Sequence, residues 1–78
     1  MYVIGVSILN DQLVEIAKAA GTTAQTTPAA NVVKIEDDYV NDFRNECRER
    51  GLDTYMGDFG RLVVREITKP NDKETKNG

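Results

Sequence analysis

A chain of 78 residues with net charge −3, one cysteine and no histidine holds one domain and supports few kinds of chemistry. It contains no disulfide pair, no zinc ligand set and no imidazole to activate a nucleophile, and its acidic total runs against sequence-blind binding to nucleic acid. A domain this small buries only about 60% of the surface its unfolded chain exposes, so its stability margin calls for dense packing, self-association or a partner.

Tyr2 to Ile8 alternates a large apolar set (Tyr2, Ile4, Val6, Ile8) with a small uncharged one (Val3, Gly5, Ser7). A strand uncharged on both faces suits the centre of a sheet, and Gly5 lets a neighbouring element approach closely. Met1–Leu9 is too short to span a bilayer and has neither the basic start nor the cleavage site of a signal peptide, so a cytoplasmic location is expected. Asn10 or Asp11 is the expected N-cap of a helix over 11–20, with Leu13, Ile16, Ala17 and Ala20 inward and Glu15 and Lys18 in water. Gly21 fits its left-handed C-cap. Residues 22–31 carry no charge and no large apolar group, which reads as a mobile connector or an extended crossover.

Val32–Ile35 reads as a short strand. Glu36, Asp37 and Asp38 then open a helix over 37–50 whose apolar stripe is Tyr39, Val40, Phe43 and Cys47. Acidic residues at its start and Arg44, Arg48 and Arg50 at its end suit the helix dipole. Gly51 closes it, with Leu52 expected to pack back on Cys47. In that stripe Cys47 reads as a small buried hydrophobe and not as a nucleophile. Capping and the dipole account for Glu36, Asp37, Asp38 and Asp42 without a cation, because a calcium loop needs spaced ligands and a glycine at its sharp turn.

Residues 52–60 read as a loop, or as a short strand and turn, punctuated by Gly57 and Gly60. Asp58-Phe59-Gly60 spells the metal-binding triplet of protein kinases, but the chain has none of the partner motifs, so it reads as a turn. Arg61 to Ile67 is the expected last strand. Arg61 and Arg65 share one side with Val63 and Ile67, and Leu62 and Val64 share the other with Glu66, a mixture expected of an edge strand guarded by charge. Residues 69–78 contain no apolar side chain and read as a disordered polar tail, which leaves a domain over 1–68.

These elements predict an α+β domain in β-α-β-α-β order: a three- or four-stranded mixed sheet with two helices packed on one face. The first strand and helix are expected to return by a right-handed crossover to a parallel neighbour. The uncovered face, expected to hold Val3, Ser7, Val32 and parts of the last strand, is apolar enough to want a partner or a second copy.

No catalytic residue, metal site, cofactor fingerprint, membrane segment or small-molecule substrate is expected. The reading is a non-catalytic protein-binding module: a regulator, inhibitor or accessory subunit that covers a partner's surface, or self-associates, like many compact acidic proteins of phages and mobile elements. Tyr55, Met56, Asp58 and Phe59 in the glycine-bounded loop are candidate anchors. Arg44, Arg48, Arg61 and Arg65 are candidates as well, and form one patch if the second helix lies beside the last strand. The same arginines carry the alternative of a nucleic-acid-binding regulator, whereas pairing with Asp42, Glu46, Glu49 and Glu66 would neutralise them.

Overall fold

The computed structural model describes residues 1–67, which form five strands and two helices. In chain order these are β1 (Tyr2–Val6), α1 (Asn10–Ala19), β2 (Gln25–Thr26), β3 (Val32–Lys34), α2 (Val40–Glu49), β4 (Leu52–Met56) and β5 (Leu62–Glu66). Single 3-10 turns at Asp37–Tyr39 and Asp58–Gly60 lead into α2 and β5. The expected tail lies outside the described residues.

The α+β class and the two helices agree with the sequence reading, and the sheet is larger than expected. Its five strands run in the order β2-β3-β1-β5-β4. β1 and β5 are parallel, and the other neighbours are antiparallel. The crossover through α1 delivers β2, which runs in the direction of β1 without touching it. A turn over 27–31 then sends β3 back between them, so the neighbour of β1 on this side is antiparallel, and its parallel neighbour is β5 and not the expected return through α1. That turn is held by Thr27, whose hydroxyl donates to the Val32 carbonyl at 2.9 Å and accepts from the Ala29 amide at 3.2 Å. The uncharged connector thus contains a strand that its polar residues do not advertise.

β5 is interior, between β1 and β4, so its arginines do not guard an edge. They stand on an uncovered face of the sheet. The helices cover the other face, where Val3, Val33, Leu52, Leu62 and Val64 meet Leu13, Ile16 and Ala17 of α1 and Phe43 and Cys47 of α2 in one buried cluster. Burying a side chain of this kind contributes about 1.5–3 kcal/mol.

The two rows of β1 are reversed from expectation: Val3 and Gly5 face the helices, while Tyr2, Ile4 and Val6 face out. Ile8 is the cause. The strand ends at Val6, Ser7 turns at φ 62°, and Ile8 folds back into the core. The Ile8 carbonyl lies where a Cβ on Gly5 would meet it at 2.6 Å, so only glycine fits beneath this turn. Asn31 locks the same place, accepting the Gly5 amide at 2.8 Å through its carbonyl and donating its side-chain amide to the Gly5 carbonyl at 2.8 Å.

Leu9, not Asn10 or Asp11, is the N-cap of α1, and it provides no side-chain cap. Asn10 lies inside the first turn and donates to the Ala29 carbonyl at 3.1 Å. Gly21 ends the helix as expected: its φ of 93° lets the Gly21 and Thr22 amides reach the Lys18 and Ala17 carbonyls, the paired bonds of a Schellman motif. Gly51 plays the matching part after α2, at φ 75°.

Candidate functional site

The open face of the sheet is the most distinctive surface among the described residues. Strand register arranges it in rows. Gln25, Lys34 and Tyr2 lie side by side across β2, β3 and β1, and Arg61, just before the Leu62 that pairs with Val3, extends this row past Tyr2. The next row is Val32, Ile4, Val63 and Tyr55. A third holds Val6, Arg65 and Asp53. An aliphatic centre is therefore bordered by aromatic rings and cations.

Each exposed aromatic ring on or beside this face has a cation against it. Lys34 Nζ lies 5.8 Å from the Tyr2 centroid, Arg61 Cζ 5.5 Å from Phe59 and Arg65 Cζ 4.9 Å from Tyr55, within or near the range of cation–π attraction. Arg65 also donates to Asp53 at 3.0 Å. Lys34 and Arg61 have no carboxylate within ion-pair distance among the described residues. A groove of about 580 Å³ opens at this end of the sheet. Tyr2, Ile4 and Val32 form its floor, Thr26, Thr27 and Pro28 one wall, and Lys34 and Arg61 its charged margins.

Phe59 is 90% exposed and sits at φ 63°, ψ 26° in the turn before β5. A bulky residue in left-handed conformation costs roughly 1–2 kcal/mol, and the buried core gains nothing from this ring. Tyr55 opens onto the same face, whereas Met56, by alternation with Leu52 and Thr54, belongs to the helix side. Asp58 is exposed beside Phe59, and its backbone carbonyl accepts from Arg61.

The four candidate arginines do not form one patch. Arg44 lies on the helix side, where its Nε donates to the Thr54 hydroxyl at 3.0 Å. Arg48 is exposed on the same helix. Arg61 and Arg65 stand on the opposite face, because α2 packs over the sheet and not beside the last strand. Of the expected internal pairs, Glu46–Arg50 forms at 2.7 Å, whereas Arg65 pairs with Asp53 and not with Glu66. Tyr2, Ile4 and Lys34 were not expected at the site. Their signal is Gly5, which marks the row of β1 that something covers closely.

Cys47 is fully buried, and desolvation raises its thiol pKa from 9.0 to about 11. Asp37 accepts from the Met1 amino group at 2.8 Å; that bond and the charge behind it lower its pKa. Among the described residues no three His, Cys, Asp or Glu side chains gather in a metal-binding group, and no helix is long and apolar enough to cross a membrane. Set against protein-family models, curated proteins and solved structures, the chain matches none.

Proposed function

We propose that this chain is a non-catalytic protein-binding module whose contact surface is the open face of its sheet. One observation carries the reading: the half-buried Ile4, Val32 and Val63 and the exposed Val6 form an aliphatic strip that no helix covers, edged by Tyr2, Tyr55, Arg61 and Arg65. An apolar centre with aromatic and arginine borders is the composition of a protein interface. Tyr2, Tyr55 and Phe59 supply large area at low entropic cost, and the helices on the far side keep the platform rigid. Regulator, inhibitor and accessory subunit all fit a chain whose means of action is covering a surface.

The test is capture from lysate with the tagged full-length chain, followed by mass measurement of the complex, for the wild type, Ile4→Glu and Lys18→Gln. A partner retained by wild type and Lys18→Gln and lost by Ile4→Glu supports the open face. A partner that Ile4→Glu retains places the contact elsewhere.

The three aromatic–cation pairs favour a second reading, a platform for single-stranded nucleic acid, where bases stack on rings and phosphates meet cations. It ranks behind because the aliphatic strip offers nothing to phosphate and sugar, and because the chain as a whole is acidic. Arg44 and Arg48 no longer belong to it. Affinity for an oligonucleotide that falls steeply with salt and drops in Arg61→Glu would promote it.

A further inference from the structure

Resting on the open-face reading, we infer that the groove around Tyr2 takes an acidic, amphipathic protein segment: apolar side chains on Ile4 and Val32, with flanking carboxylates on Lys34 and Arg61. The floor of the groove is apolar and its two margins are cations without carboxylate partners among the described residues. Tyr2 lies between them in register. Two cations that meet aromatic rings but no carboxylate among the described residues, set about an apolar floor, are complementary to a ligand that alternates the two characters. Arg61 adds a planar fork suited to a carboxylate.

The surrounding charge selects a short acidic segment over a continuous polyanion. Immediately beyond Lys34 a second cavity, of about 540 Å³, is lined by Glu36, Asp37 and Asp38. Past Arg61 stands Asp58, and the third cation, Arg65, is already engaged by Asp53. A nucleic-acid strand carries a phosphate at every nucleotide and meets repulsion as soon as it leaves the groove at either side. A peptide places its carboxylates only where the cations are.

The experiment is a titration of the full chain followed by amide NMR shifts in 50 mM salt, with three probes. These are a capped, otherwise neutral peptide with two glutamates flanking a leucine–serine–leucine centre, the same peptide with glutamine for glutamate, and a ten-nucleotide oligo(dT). The glutamate peptide is expected to shift Tyr2, Ile4, Lys34 and Arg61 and to bind at least five-fold tighter than the glutamine peptide. Lys34→Gln with Arg61→Gln should remove that preference, and Lys18→Gln should leave it. Both target side chains are exposed and outside the core, so the variants keep the fold. Equal binding of the two peptides overturns the acidic preference and leaves the open-face reading in place. Tighter binding of the oligonucleotide overturns both. Absence of shifts with every probe overturns the inference alone, because the capture experiment tests the open face independently.

Discussion

Replacing Gly5 by alanine tests the fold where its sequence is least forgiving. Gly5 lies in β1 with no positive φ, so alanine suits its backbone, and the cost is steric alone. The added Cβ would sit 2.6 Å from the Ile8 carbonyl and 3.0 Å from the Ile8 Cβ, where ordinary contact begins near 3.4 Å. The Ser7–Ile8 turn must therefore retreat by about 0.8 Å. Overpacking of this kind costs about 1–3 kcal/mol, and partial withdrawal of Ile8 from the core adds a share of its ~1.5–3 kcal/mol of burial. A loss of about 2–4 kcal/mol is expected, a large part of the ~3–10 kcal/mol available to a domain this size. Urea unfolding followed by circular dichroism measures it. With a slope near 1 kcal/mol/M, the midpoint should fall by about 2 M or more. Lys18→Gln, at an exposed position of α1, is the control and should change stability by less than about 0.5 kcal/mol. A Gly5→Ala midpoint within about 0.5 M of wild type would refute the packing of Ile8 over β1.

Three further outcomes follow from the core and the turn. Phe43→Ala, at a fully buried site between α1 and the sheet, should cost about 3–5 kcal/mol, and thermal melting would then show little or no folded protein at 37 °C. Cys47 should resist thiol reagents in the native state. Its thiol ionises from pH 9 when unfolded but only near 11 when folded, so the unfolded chain binds fewer protons between those values. Stability then falls as pH rises from 9 to 11, by about 2–3 kcal/mol in all, and urea midpoints of Cys47→Ala should lack that component. Phe59→Gly removes left-handed strain worth roughly 1–2 kcal/mol against a chain-entropy cost of about 0.5–1 kcal/mol. Its melting temperature should rise by a few degrees while affinity for a captured partner drops.

The helices were legible because their signals are local. The stripe of Phe43 and Cys47, the arginines after it, and Gly21 and Gly51 as left-handed stops all act within a turn or two of chain. The sheet was less legible because its order depends on pairings that the sequence does not encode nearby. β2 is two residues long and polar, and what identifies it is the Thr27 turn that hands the chain back to β3. The reversal of β1 followed from ranking its rows by size. Tyr2, Ile4 and Val6 are the larger set, yet the helix side needed the row with a gap for Ile8. The candidate anchors Tyr55, on β4 and not in a loop, and Phe59, in the turn, are exposed, whereas the supposed arginine patch depended on where α2 lies relative to β5, a tertiary fact with no local signature.

β1 finds its parallel partner at the far end of the described chain, since Val3 pairs with Leu62 and Val6 with Arg65. During synthesis α1, β2 and β3 can gather against one side of β1 long before β5 leaves the ribosome. This strongly apolar strand therefore waits with one bare hydrogen-bonding edge until residues 62–66 have been made. Contacts this distant make folding slow, and a waiting edge invites pairing with other chains. Expression at reduced temperature should for that reason raise the soluble yield.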